Sequence, residues 1–314
     1  MKTIAQAFRT LLAFMLIFYS VGVNAQRKEV SYFNDSVEIC PLADKELIDS
    51  CYNLLDRNMM LETDGIYGQI AVIDATTSDV LAWASLEKQL DGDCGWCGDM
   101  VYVPFKKQVC STDVFVPFIA AKCLEKSNTS FGKIVDTGCG ILEINDSLKI
   151  RDHNWRRGGY RKVTFEKALL MKSRIGMYKA FMTMPNGANL WEQAYDTIQK
   201  SNAIELAISF NQMYHKRSSL EYVKKIATGF FEKTGIQHRL APRGIKLAGI
   251  YNILQCDDNK RSSDEFTFVG CFPADNPKYT ISMVVVRPHK LPATIGMLSK
   301  EVNQLVEWLM NRNL

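Results

Sequence analysis

Three short strings in this chain could carry covalent acyl chemistry. Ser85-Leu86-Glu87-Lys88 sets a hydroxyl three residues before an amine. On a helix that spacing puts both on one face, where the amine can take the hydroxyl proton. Ser209-Phe210-Asn211 adds a second hydroxyl beside an amide, and Lys233-Thr234-Gly235 a cation beside a glycine. A fourth string, Cys94-Gly95-Trp96-Cys97, lies in a Gly- and Asp-rich loop and has three readings: a disulfide, half of a metal site, or a redox pair. A redox pair should open a helix after a strand, and no helical pattern follows. A metal site needs two more ligands, and His153, His215, His238 and His289 are scattered without ligand spacing. A local disulfide or idle thiols fit best. The chain has no phosphate loop and no dinucleotide fingerprint, so neither cofactor nor metal is expected.

The setting of these residues follows from the ends and the composition. Lys2 and Arg9 precede an apolar run from Leu11 to Val23, and Val23-Asn24-Ala25 forms a small-x-small cleavage site, so residues 1–25 read as a secretory signal. The run is short for a membrane span, which needs about 20 residues. The alternative is an uncleaved anchor. No later segment is long and apolar enough to span, so the expected location is exported, periplasmic or extracytoplasmic. Nine cysteines are compatible with export, though the odd number leaves at least one thiol over. A net charge of +4 with scattered basic residues argues against a nucleic-acid partner.

Residues 26–66 are expected to form a lead-in segment with a helix near Cys40 to Met60. Residues 67–314 form one domain. Gly68–Thr76 and Asp79–Glu87 are β-rich and joined by a tight turn at Thr77-Ser78. Helices are expected over Ser111–Lys126, Val163–Phe181, Ala203–Tyr214 and Leu220–Lys233. Lys246–Gln255, Glu265–Phe272 and Tyr279–Arg287 are strands, and Pro292–Arg312 a terminal amphipathic helix. The expected class is α+β: a five-stranded antiparallel sheet built from both chain ends, flanked by helices, with an all-helical lobe between.

Five stretches, in order, resemble the transpeptidase domain of penicillin-binding proteins. GQIAVIDATTSDVLAWASL is similar to the family's first hairpin, and STDVFVPFIAAKCLE to its "G-S-x-x-K-P-F-x-x-x-x-x-L-E" segment. SNAIELAISFNQMY resembles the "T-P-L-Q-x-A-x-x-Y" helix. LEYVKKIATGFFEKTGIQHRLAPRGIKLAGIYNILQ resembles the approach to the "A-G-K-T-G-T-A-Q" strand, and FVGCFPADNPKYTISMVVVRP the "F-V-G-F-A-P-A-D-N-P" strand pair. The resemblance implies a fold; activity must be read from the site.

Family enzymes acylate a serine whose proton is taken by a Lys three residues on, with a Ser-x-Asn relay and a Lys-Thr-Gly strand. Matching Pro117-Phe118 to the family's Pro-Phe puts Asp113 at the nucleophile position and Val116 at the Lys position. KALLMKSRIGMYKAF resembles the second-motif helix and puts Lys172 at the Ser and Arg174 at the Asn. On the third strand Leu247-Ala248-Gly249 replaces Lys-Thr-Gly, keeping the Gly for close backbone approach. By this alignment no catalytic residue survives. The literal strings fall elsewhere: Ser85 at a strand end, Ser209 inside the "T-P-L-Q"-like helix, and Lys233 before the third strand. The expectation is a protein without catalysis that binds a peptidoglycan peptide or another envelope protein. The alternative is an active serine D,D-transpeptidase or carboxypeptidase using the literal strings. An acid in the first motif and two bases in the second predict a direct ion pair from Asp113 to Lys172, the favoured partner, or Arg174, within about 4 Å; the alternative is that Asp113 is a solvated helix cap bonding its own backbone.

Overall fold

Tyr67 to Ile73 and Tyr279 to Val285 are buried at every position, the mark of strands covered on both faces. The computed structural model describes residues 44–89, 99–103, 110–145, 149–195, 200–215, 221–233, 235–258, 261–290 and 292–312, all within the unit Val37–Leu314. The signal segment, Cys94-Gly95-Trp96-Cys97 and Thr234 lie outside the described residues.

Helix α1 (Lys45–Arg57) continues through a π-helical turn (Asn58–Thr63) into β1 (Tyr67–Asp74), β2 (Val80–Lys88) and β3 (Met100–Tyr102). β4 (Cys110–Ser111) leads through a 3-10 turn (Thr112–Phe115) into α2 (Val116–Lys126). β5 (Ile134–Asp136), β6 (Ile141–Glu143), β7 (Lys149–Arg151) and β8 (Lys162–Thr164) precede α3 (Phe165–Leu170) and α4 (Arg174–Phe181). Then come α5 (Gly187–Tyr195), β9 (Lys200–Ser201), α6 (Ala203–His215) and α7 (Glu221–Gly229). β10 (Ala248–Asp258), β11 (Arg261–Phe272), β12 (Tyr279–Pro288) and α8 (Ser299–Asn311) complete the described order.

The main sheet has six strands in the order β10-β11-β12-β1-β2-β3, with every adjacent pair antiparallel. The expected five strands are all in it. The sixth, β3, is three residues long, too short to show a period in the sequence. β1 and β12 come from opposite ends of the described chain and pair from Tyr67↔Val286 to Asp74↔Tyr279.

Side-chain alternation gives the sheet two faces. Ile70, Val72, Ala84, Phe266, Phe268, Met283 and Val285 pack with Leu47, Cys51 and Leu55 of α1 and with Val302, Leu305, Val306 and Leu309 of α8. The other face is more polar and holds α6 by hydrogen bonds. Gln69 Oε1 accepts from the Ala203 amide at 3.0 Å, and Thr280 Oγ1 donates to Asn211 Oδ1 at 2.9 Å. The segments between β3 and β10 carry three two-stranded pairs, β4–β9, β5–β8 and β6–β7, so the lobe is not purely helical.

Candidate functional site

The stretch Val163–Phe181, expected as one helix, is two, and the break between them shapes the site. Lys172 has φ of 53°, in the left-handed region. Its amide bonds the Leu169 carbonyl at 2.9 Å and the Ser173 amide bonds the Ala168 carbonyl at 2.9 Å, the paired closure of a helix C-terminus. Glycine ordinarily fills that position, and a side chain there costs of order 1–2 kcal/mol. No Gly or Pro in MKSR warns of the break. Ser173 then starts α4: its hydroxyl accepts from the Gly176 amide at 2.9 Å and donates to the Asp152 carboxylate at 2.9–3.0 Å. Asp152, fully buried, also accepts from the Ile175 amide at 3.1 Å. The turn presenting Lys172 is thus held by a buried carboxylate.

Lys172 meets two residues from distant parts of the chain. Its ammonium Nζ donates to Asn252 Oδ1 on β10, and Asn252 Nδ2 donates to Asp113 Oδ1 at 3.0 Å. Asp113 lies half-buried in the 3-10 turn before α2, and Asn252 is 6% exposed. The expected direct ion pair is therefore mediated: a neutral amide stands between the two charges, its oxygen toward the cation and its nitrogen toward the anion. The edge of β10 is fixed beside it. Gln237, fully buried, accepts from the Tyr251 amide at 2.9 Å and donates to the Tyr251 carbonyl at 2.7 Å, as a neighbouring strand would.

Burial pushes the Lys172 amine down to about 8, because a desolvated ammonium is disfavoured; Asp113 opposes the shift. The same burial lowers the His153 imidazole, and Lys172 and Arg157 add to that while Asp152 opposes it. Tyr160 sits against His153 with its hydroxyl 2.8 Å from Nε2, and burial raises its phenol to about 12. The arrangement holds an amine with a loosened proton, a carboxamide and a carboxylate in a line. That line suits amine chemistry better than hydroxyl activation.

The other marked positions lie apart from this line. Val116 is buried at the start of α2 and Arg174 exposed at the start of α4. Leu247 is in the hydrophobic core beneath α1 and α8, and Ala248 is fully buried. A Cβ on Gly249 would come within 2.3 Å of the Val269 carbonyl oxygen, so the close approach there is to β11. Ser85 lies buried within β2 with its hydroxyl 3.1 Å from the Tyr67 hydroxyl, and Lys88 pairs with Asp64 at 3.5 Å. Ser209 is exposed on α6 and Lys233 exposed after α7. Among the described residues no cluster of metal-ligating side chains occurs.

Asn252 is the member the alignment missed. Matching Ala248-Gly249 to the "A-G" that precedes Lys-Thr-Gly would have moved the third motif to Ile250-Tyr251-Asn252. The period of two then gives Ile250 and Asn252 one face of β10.

No family model matches the chain, and no curated protein matches it either. Solved structures do. A peptidoglycan glycosyltransferase from Burkholderia ambifaria superposes with a TM-score of 0.64 at 16% identity, covering 86% of this chain and 97% of its own. The TP domain of penicillin-binding protein 3 from Burkholderia pseudomallei superposes with a TM-score of 0.62 at 17% identity, covering 87% and 97%. This is the fold of a penicillin-binding transpeptidase domain. At this identity the likeness establishes the fold and leaves the chemistry to the residues. On the transpeptidase fold, the junction between lobe and sheet is where Asp113, Lys172 and Asn252 meet.

Proposed function

We propose that this chain is an exported penicillin-binding-protein-like component of the cell envelope that has given up catalysis and acts by binding in peptidoglycan metabolism. One observation carries the reading: Asp113 and Val116 stand at the positions that the resemblance gives to the nucleophile and its base. A carboxylate is a poor substitute for an activated hydroxyl, and an isopropyl group cannot take a proton. The second-motif position holds Lys172, whose amine is engaged by Asn252. The occupants that suit such a protein are a peptidoglycan peptide or another envelope protein.

Fluorescent penicillin tests the loss of catalysis directly. The purified full chain is expected to carry no covalent label after denaturation. Any covalent label overturns the reading, and its disappearance in Ser85→Ala would assign the activity to Ser85-Leu86-Glu87-Lys88.

A further inference from the structure

Asn252 lies between an amine and a carboxylate that reach it from segments 80 and 139 residues away. The charges dictate how its carboxamide is turned. The cation takes the oxygen side and the anion takes the nitrogen side, so Cγ is one C=O bond, about 1.2 Å, beyond the atom that Lys172 Nζ already touches. An amine next to a carboxamide, with a carboxylate on the amide nitrogen and little water, is the arrangement for amide exchange.

We propose that Lys172 and Asn252 join in an intramolecular isopeptide bond, with Asp113 as the proton carrier. A turn of the carboxamide about Cβ–Cγ presents Cγ to Nζ. The Nζ lone pair forms the new bond to Cγ, and the carbonyl π pair moves onto Oδ1. Once the carboxamide has turned out of the line between them, Asp113 takes one proton from Nζ and passes it to Nδ2. The Oδ1 pair then re-forms the carbonyl and the Cγ–Nδ2 bond breaks, its electron pair leaving with ammonia. The products are a secondary amide and one NH3; Asp113 ends as the carboxylate it began, and no oxidant or cofactor is consumed.

Three features support the step. Burial holds the amine near 8, so roughly a tenth is neutral and nucleophilic at pH 7. The reacting groups are held by the left-handed turn at Lys172 and the Gln237 clamp on Tyr251, and such orientation is worth effective molarities of about 10⁵ M or more. Asn252 is 6% exposed, which limits competing attack by water. The bond would stitch the helical lobe to the edge strand β10 across the lobe–sheet junction. It stands independently of the binding reading, because the penicillin label reports serine acylation and a peptide map reports residues 172 and 252.

The test is tryptic mapping of the reduced, alkylated full chain by mass spectrometry. The expected product is one branched peptide joining residues 168–174 to 247–260, lighter than the sum of its arms by one ammonia, with no cleavage after Lys172. Intact mass alone does not serve, since an N-terminal Gln26 would also lose ammonia on cyclising. Lys172→Arg and Asn252→Ala are expected to give only linear peptides. Asp113→Asn, which keeps the size but cannot carry the proton, is expected to do the same. Linear peptides with a free Lys172 in the unaltered protein would overturn the proposal. A branched peptide that persists in Asp113→Asn would overturn the role given to Asp113.

Discussion

Two charged clusters sit on the same sheet and are built on opposite plans. On the cross-strand pair of β11 and β12, Arg287 Nε donates to Asp264 Oδ2 at 3.0 Å, and His289 Nδ1 lies 2.5 Å from Oδ1. The Arg287 fork is further occupied by the Lys290 carbonyl at 2.6 Å and the Pro292 carbonyl at 2.9 Å, and the guanidinium lies over the Phe266 ring at 5.1 Å. Beside β10 the cation and anion are separated by the Asn252 carboxamide. The first cluster satisfies both charges where they are buried, so it acts as structure. In the second, the amine is desolvated with a neutral partner and its proton is loosened. Direct, fully bonded pairing makes a charge inert, while an interposed amide leaves it available for chemistry.

The largest expected effect breaks the inert cluster. Arg287→Ala leaves the Asp264 carboxylate, 2% exposed, without its main cation, and should cost about 3–5 kcal/mol in urea denaturation. A loss under about 1 kcal/mol would place this pair with ordinary surface pairs and remove the contrast.

Acid should separate the two regions by pH. His153, lowered by burial, titrates below its unfolded value of 6.5, so the unfolded chain takes up the proton first. Stability is full above that value and falls as the pH drops below it. Burial alone would raise the Asp264 carboxyl, but the hydrogen bonds from His289 and Arg287 hold it below 3.8. Its contribution is present above 3.8 and is lost as the pH falls through the lower folded value. Urea midpoints measured against pH should show two declines, and His153→Gln should shrink the upper one alone, the remainder coming from His215, which burial and Lys224 also lower. A single decline, unchanged in that variant, would contradict the assignment.

The smallest effect checks that burial makes the difference. Lys246 and Asp275 meet at 2.9 Å with side chains 75% and 73% exposed. Lys246→Ala should leave the urea midpoint unchanged, because water and salt screen such a pair. A clear drop would show that exposure is a poor guide to these clusters.

Much of the fold was legible in the residues. The runs at Gly68–Thr76, Asp79–Glu87, Glu265–Phe272 and Tyr279–Arg287 all became strands of the main sheet, because apolar β-formers bounded by turn residues leave few alternatives. Part of the site was legible too: Asp113 and Lys172 were placed at one junction, and they are there. The direct pair between them was wrong because the alignment set the third motif at Leu247-Ala248-Gly249 and hid Asn252. Val163–Phe181 read as one helix because its break carries a lysine where glycine is the usual marker.

By itself the sequence determined the α+β class and the strand runs, since these depend on residue type and short spacing. Tertiary structure alone decided that Lys172 turns left-handed, that Asn252 points to the same junction, and that the amine is desolvated. Hydrogen bonds over 80 and 139 residues depend on strand register and on neighbours brought from afar, and neither is encoded within a few residues of the groups that react.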